Sequence, residues 1–124
     1  MATNDSMPIQ TVRETLHLLG WLNARYGRPD RAIGYFELMT VVDGSNATSW
    51  RTLATIQLSL DKNPEALASA AKALELGLPP GEAALCHLVQ AIAARRLGDT
   101  AASDKAAAEY LKSRAESGQG GGEG

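Results

Sequence analysis

Two stretches of the sequence echo each other 34 residues apart: LHLLGWLNARYGRPDRAIGYF at residues 16–36 and WRTLATIQLSLDKNPEALASA at residues 50–70. The shift superposes a large apolar residue, a leucine and a small residue in the first half of each stretch, and an alanine in the second half. Between the halves lie proline, aspartate and, in the first stretch, glycine, which are typical where one helix ends and the next begins. The pattern therefore predicts a pair of helices joined by a short turn, used at least twice.

Thirty-four residues is the period of the tetratricopeptide repeat, and the residue types resemble its motif. Small residues recur at motif positions 8 and 20, as Gly20 and Ala32 and again as Ala54 and Ala66. We expect them where the two helices of a hairpin approach each other closely. A third, degenerate unit follows at an offset of 37 residues, because residues 79–81 lengthen the linker. Such departures are typical of a terminal repeat.

The sequence therefore predicts an all-α protein of three tetratricopeptide-like helical hairpins, six helices in a short solenoid with a concave groove. The alternative is an irregular helical bundle in which the 34-residue similarity arises by chance from alanine-rich composition. Helices are expected near residues 9–26, 29–42, 46–60, 64–76, 82–97 and 100–115. The repeat domain would cover 9–116, between a flexible N-terminal segment, 1–8, and a disordered Gly-rich tail, 117–124, since neither end can bury enough apolar surface to offset its ordering entropy.

Composition excludes several classes of function. The formal charge of -2 over 124 residues gives no basic excess, so nucleic acid is not an expected partner. No apolar run approaches the roughly 20 residues of a membrane helix, so we expect no membrane insertion. The single cysteine and the lack of a recognisable signal peptide predict a reducing, cytoplasmic location.

The residues that could carry chemistry are few: His17, His87 and Cys86. Cys86 and His87 are adjacent, so on a helix they point about 100° apart and cannot act together. A cysteine nucleophile needs a base within hydrogen-bond reach and a group to orient it. We therefore expect no enzyme activity, no metal and no cofactor, and interpret these residues as packing or surface residues.

What remains is a recognition surface. In stacked tetratricopeptide hairpins, the concave face is lined chiefly by the first helix of each hairpin. Here those positions combine apolar side chains with arginines, a composition typical of binding hot spots. The predicted partner-binding groove consists of His17, Trp21, Arg25, Arg51, Thr55, Leu58, Leu88, Ile92, Arg95 and Arg96. An amphipathic helix with acidic flanks would complement it. Alternatively, Trp21 is buried against the second helix of its own hairpin or against the N-terminal segment, and the arginines only keep the surface soluble.

The first hairpin also resembles a narrower family. Residues 16–22, LHLLGWL, and residues 26–32, YGRPDRA, resemble the opening of the YscY family of small tetratricopeptide chaperones of type III secretion systems. The resemblance implies a cytoplasmic chaperone that forms a heterodimer with a small secreted partner of the YscX type. It also implies that the groove holds this partner as an amphipathic helix, with Trp21 as an anchor, and that the pair engages the export-gate membrane protein.

Two other interpretations share the repeat. One is a generic tetratricopeptide adaptor that captures peptides from unrelated proteins, and the other is a needle-subunit chaperone of the same secretion systems. Apolar side chains at Trp21, Leu88 and Ile92 favour an amphipathic helix as the bound element. Peptide clamps that capture a carboxylate depend instead on a set rich in lysine and asparagine, which the predicted groove lacks.

Overall fold

The computed structural model describes residues 8–122, and all the regular structure among them is α-helical. Most of the predicted N-terminal segment, 1–7, and residues 123–124 of the predicted tail lie outside the described residues. The helices are α1 Ile9–Arg25, α2 Pro29–Val42, α3 Ala47–Ser59, α4 Asn63–Leu76, α5 Pro80–Arg96 and α6 Thr100–Gly122. The prediction of an all-α fold with six helices is confirmed. None of these helices is both long and apolar enough to cross a lipid bilayer.

The helices pack as three consecutive hairpins, α1 with α2, α3 with α4, and α5 with α6. Each hairpin turn contains one residue in the left-handed backbone region: Gly27 at φ 87°, Asp61 at φ 61° and Gly98 at φ 83°. Glycine adopts this region without steric cost, and aspartate tolerates it better than most residues do. These three residues are related by the same offsets as the sequence repeat, so the backbone repeats as the sequence does.

Small residues lie at the close contacts within the hairpins. In the second hairpin, Ala54 and Ala66 are both fully buried. In the third, the equivalent residues are Ala91 and Ser103, and the Ser103 hydroxyl donates a hydrogen bond of 2.8 Å to the Ala91 carbonyl. Gly20 occupies the same position in α1 and is buried. The expected role of these small residues is therefore confirmed.

The core consists of two clusters that meet at one tryptophan. The first cluster belongs to the first hairpin and α3, and the second is an alanine-rich cluster of α3, α4 and α5. Trp50 packs against both, and its indole N–H donates a hydrogen bond of 2.8 Å to the Gly44 carbonyl. Trp50 therefore joins the first hairpin to the other two.

Two helix boundaries differ from the sequence prediction. Helix α5 begins at Pro80 rather than near residue 82, because a proline fits the first turn of a helix, where its missing N–H costs nothing. The sequence places the start of a disordered tail at residue 117, whereas the structure continues α6 to Gly122. At the start of this extension α6 still contacts α5, since a Cβ built on Gly81 would lie 3.0 Å from the Ser117 hydroxyl oxygen.

Candidate functional site

A cleft separates the first hairpin from the second. Helices α3 and α5 pack against each other directly, but within the described residues no Cα atom of α1 comes within 8 Å of one in α3. An ion pair crosses the α3–α5 contact, with Arg51 Nε 3.3 Å from Glu82 Oε1. At the repeat-equivalent positions, α1 has His17 and the α2–α3 loop has Ser45, which cannot form an ion pair. The contact between the first and second hairpins thus has no equivalent of the Arg51–Glu82 ion pair, which links α3 to α5 at the contact between the second and third hairpins.

The cleft has a volume of about 610 Å³ and is open to solvent. Its floor and walls come from α1, from the end of α2 and from the start of α3 with the residue before it. The lining residues are Arg13, Glu14, His17, Leu18, Trp21, Met39, Asn46, Thr48 and Ser49. A volume of this size falls in the range of about 300–1,000 Å³ that is usual for sites that bind a compact ligand.

Trp21 is the largest apolar side chain of the cleft, and 48% of it is exposed. The Arg25 guanidinium lies over its ring, with Cζ 5.5 Å from the ring centroid, a cation–π arrangement that fixes one face of the indole. Trp21 is not among the residues that pack in the core of its own hairpin. The N-terminal segment, the other element against which the sequence could have placed it, lies mostly outside the described residues. An indole held in this way offers its other face and its edge to a bound group.

The floor of the cleft is continuous with the first core cluster. The His17 ring packs edge-on against Phe36, with ring centroids 5.7 Å apart and planes inclined at 72°. Met39, which is only 3% exposed, contributes the sulfur-containing side chain beneath the opening. A side chain that entered the cleft would therefore meet a mostly apolar surface with one imidazole at its edge.

Ser49 adds an unusual polar feature to this surface. It is 1% exposed, it lines the cleft, and its hydroxyl oxygen has no hydrogen-bond partner among the described residues. Its backbone N–H is satisfied by the Asn46 side-chain oxygen, which caps α3 at 3.0 Å. A buried hydroxyl without a partner costs roughly 1–3 kcal/mol. A bound segment that supplies a donor or acceptor would remove that cost.

The structure divides the ten predicted groove residues among several places. His17 and Trp21 line the cleft, and Arg25 lies over Trp21 at its rim. Arg51, in the middle of the set, pairs with Glu82 and so links α3 to α5. The Thr55 hydroxyl donates to the Arg51 carbonyl at 3.0 Å, a hydrogen bond within α3. Neither residue lines the cleft that holds His17 and Trp21.

The C-terminal members of the set lie at the other end of the protein. Leu58 packs against the second core cluster, and its carbonyl accepts a hydrogen bond of 3.0 Å from Arg96. Ile92, Arg95 and Arg96 line one cavity between α5 and α6, and a second cavity between the same helices is lined in part by Leu88. Members of the predicted set therefore line three separate openings rather than one groove.

Sequence reasoning missed several cleft residues because they do not occupy the concave positions of a first helix. Met39 lies near the end of α2, and Asn46 and Ser49 lie where α3 begins. A signal was available for Asn46, because asparagine is a preferred N-cap residue whose side chain accepts from a backbone N–H of the first helical turn. The sequence alone gave no reason to place that cap beside α1.

The residues considered for catalysis are separated in the structure. Cys86 is fully buried, and burial raises the pKa of its thiol to about 11; the nearby Arg51 guanidinium opposes this rise and the Glu82 carboxylate adds to it. The thiol is therefore protonated at neutral pH and is not a nucleophile. His17 faces the cleft, whereas His87 lines a shallow cavity between α5 and α6. No group of three or more His, Cys, Asp or Glu side chains that could hold a metal occurs in the part of the chain that the structure describes.

No protein-family model and no curated protein matches the sequence. Solved structures do match. The second TPR of Spaghetti (RPAP3), bound to the HSP90 peptide SRMEEVD, is 21% identical with a TM-score of 0.73, over 83% of this chain and 94% of that one. The N-terminal domain of stress-induced protein-1 (STI-1) from C. elegans is 17% identical with a TM-score of 0.78, over 87% of this chain and 88% of that one. Residues 8–122 therefore have the all-helical hairpin fold of a tetratricopeptide-repeat domain.

Proposed function

We propose that this protein is a protein-interaction module whose cleft between α1 and α3 binds an apolar segment of a partner protein. The observation that carries the proposal is the half-exposed Trp21, held by Arg25 at the mouth of a cleft of about 610 Å³. Exposed tryptophan beside arginine is typical of the residues that dominate binding energy at protein interfaces. The fold comparison supports the same class of function, because the RPAP3 domain binds a peptide.

The cleft chemistry favours an apolar helix over an acidic chain end. Arg13 forms an ion pair with Asp43, and Arg25 lies over Trp21, so both cations near the cleft are already engaged. No lysine lines the cleft. The HSP90 peptide bound by RPAP3 contains acidic residues, whereas this cleft presents Leu18, Trp21 and Met39. A helix that inserts two or three large apolar side chains from one face fits this surface, with Ser49 available for a polar contact.

A narrower version of the proposal is a type III secretion chaperone. In that version the bound helix belongs to a small secreted protein of the YscX type, and the heterodimer then engages the export gate. Its support is the resemblance of residues 16–22 and 26–32 to the YscY family, and the same cleft would hold the partner. The broader statement, an adaptor for a helical or extended segment of a partner protein, has the additional support of the fold comparisons.

The decisive experiment places a photo-crosslinking amino acid at residue 21 in the full chain, expressed in its native host. A matched control carries the same amino acid at Leu111, which is 65% exposed on α6 and does not line the cleft. We expect a partner that crosslinks from residue 21, does not crosslink from residue 111, and is lost on Thr48→Trp, because Thr48 is exposed and lines the cleft, so that a large side chain there would occupy it.

The identity of the crosslinked partner separates the two versions. One small secreted protein would support the secretion chaperone, and several unrelated proteins that share an amphipathic segment would support the adaptor. Equal crosslinking from residues 21 and 111, or crosslinking that persists when the cleft is filled, would contradict both. The circular dichroism spectrum of each variant checks that it remains folded.

A further inference from the structure

Helix α1 exposes apolar residues whose equivalents in α3, 34 positions later, pack against the first hairpin. Leu53 of α3 is 3% exposed, and Ile56 and Leu60 pack beside it against the first hairpin. The residues 34 positions earlier are Leu19, Leu22 and Tyr26, which are 36%, 36% and 72% exposed. These three form what we term the N-terminal face. Its equivalents in α3 are the surface with which the second hairpin packs against the first.

At the C-terminal end of the protein, the residues that would receive the first helix of a following hairpin are not covered by one. Helix α3 packs against Ala32, Phe36 and Met39 of the preceding hairpin, and α5 packs against Ala66, Ala70 and Ala73. By the offset of 37 residues, the equivalent residues of α6 are Ser103, Ala107 and Tyr110. All three line cavities that open between α5 and α6.

Those two cavities have volumes of about 380 and 280 Å³. Helix α5 contributes Leu85, Leu88 and Ile92 to them. Together with Ala107 and Tyr110 of α6, these residues form what we term the C-terminal groove. It has the position at which the first helix of a fourth hairpin would pack.

We propose that the N-terminal face of one chain docks in the C-terminal groove of a second copy, so that the chains associate head to tail. The argument is that each chain carries both halves of the contact which the fold makes internally between the first and second hairpins, and that the receiving residues of this contact recur between the second and third hairpins. Three apolar side chains on one side meet a groove with an alanine at its centre, so the fit is that of a helix against a small residue.

Head-to-tail contacts use two different surfaces, so they do not close into a symmetric dimer and assemblies grow with concentration. The N-terminal face and the cleft lie on different sides of α1, because Leu19, Leu22 and Tyr26 do not line the cleft. Association therefore leaves the cleft open, and this inference does not depend on the proposed function.

The test measures the mass of the full chain by light scattering after size exclusion, over a range of concentrations. Leu22→Glu places a carboxylate on the N-terminal face, and Ala107→Glu places one in the C-terminal groove. Leu111→Glu is the control, since it adds the same charge to an exposed apolar site of α6 that does not line the C-terminal groove. We expect the unsubstituted chain and Leu111→Glu to exceed the 13.1 kDa of one chain increasingly with concentration, and each of the other two variants to associate about 100-fold more weakly, because docking would bury an unpaired carboxylate.

Mixing the two disabled variants makes the test specific. Each retains one intact surface, so an equimolar mixture should form a 1:1 pair and stop there. A mixture that stays monomeric would overturn the proposal, and so would an unsubstituted chain that is monomeric at every concentration. Loss of association with Leu22→Glu but not with Ala107→Glu would indicate symmetric pairing of two N-terminal faces and would also overturn it. Thermal unfolding of each variant checks that it is folded.

Discussion

Gly20 lies directly against the ring of Phe36: a Cβ atom built on Gly20 would come 2.7 Å from Phe36 Cζ. The ring is 2% exposed and belongs to the first core cluster, so it has no free space to move into. We expect Gly20→Ala to lower the free energy of unfolding by about 1–3 kcal/mol, the usual cost of overpacking a core. The effect should appear in urea denaturation although alanine is the better helix former by about 1 kcal/mol.

Gly34 provides the matched control. It also lies within a helix, but a Cβ there would meet nothing within 4 Å. Gly34→Ala should therefore raise the free energy of unfolding by about 0.5–1 kcal/mol. If Gly20→Ala were as stable as Gly34→Ala, this would contradict the close packing of Gly20 in α1 against Phe36 in α2. Adding Phe36→Leu to Gly20→Ala should recover part of the loss.

The hairpins could be predicted from the sequence because their causes are local. Turn residues such as Gly27, Pro64 and Gly98 end or begin helices whatever lies around them, and the small residues Gly20 and Ala54 mark close contacts within one hairpin. These signals fixed the helices to within a few residues, except at the end of α6. There the contact of Ser117 with α5 is between residues distant in sequence, which a local pattern cannot show.

The cleft could not be predicted because it depends on how two hairpins approach each other. The offset of 34 aligns Arg51 with His17 and the offset of 37 aligns Glu82 with Ser45, so among the described residues the second junction has this ion pair and the first has no equivalent of it. The repeat pattern treats these positions as equivalent and predicts one groove along all three hairpins. Side-chain chemistry at the junctions divides that groove, and this becomes visible only when the helices are placed in space.

The two tryptophans should differ in their contribution to stability. Trp50 packs against both core clusters and donates a hydrogen bond to the Gly44 carbonyl, whereas Trp21 is half exposed at the cleft. Trp50→Phe should lower the free energy of unfolding by about 1–2 kcal/mol, through the lost hydrogen bond and the smaller ring. Trp21→Phe should change it by less than about 0.5 kcal/mol. Urea denaturation followed by circular dichroism measures both, and equal effects would argue against Trp50 as the link between the clusters.

Stability should decrease at alkaline pH through Cys86. Its thiol has a pKa of about 11 in the folded protein against a reference value of 9.0, so the native state holds the proton more tightly than the unfolded state does. The stabilising effect is complete below pH 9 and is lost as the pH rises toward 11. Two pKa units correspond to about 2–3 kcal/mol.

The variant Cys86→Ala isolates this effect from the titration of tyrosines and lysines. We expect the difference in unfolding free energy between the unsubstituted protein and Cys86→Ala to shrink by about 2–3 kcal/mol between pH 8.5 and pH 11. A thiol reagent at pH 8 should modify Cys86 only at the rate at which the protein opens. A difference that stays constant with pH, or rapid modification of the folded protein, would show that the thiol is not buried as the structure has it.

Ser49 and Ser103 form a pair of buried serines with opposite expected effects on stability. Both are nearly inaccessible, at 1% and 3% exposure, and both lie in helices. The Ser103 hydroxyl donates to the Ala91 carbonyl, whereas the Ser49 hydroxyl has no partner among the described residues. Ser49→Ala should therefore raise the free energy of unfolding by about 1 kcal/mol, and Ser103→Ala should lower it by about 1 kcal/mol, because only the second loses a hydrogen bond.

The same pair distinguishes a functional hydroxyl from a merely tolerated one. If Ser49 is retained for a bound segment, Ser49→Ala should weaken crosslinking of the partner from residue 21 while it stabilises the free protein. Ser103→Ala should leave that crosslinking unchanged, since Ser103 lies at the far end of the array. A Ser49→Ala variant that is more stable and binds its partner as before would remove the hydroxyl from the proposed contact and leave recognition to Trp21 and the apolar floor. A variant that is less stable would mean that the Ser49 hydroxyl has a hydrogen-bond partner in the folded protein, most simply a bound water. Its burial would then carry no penalty.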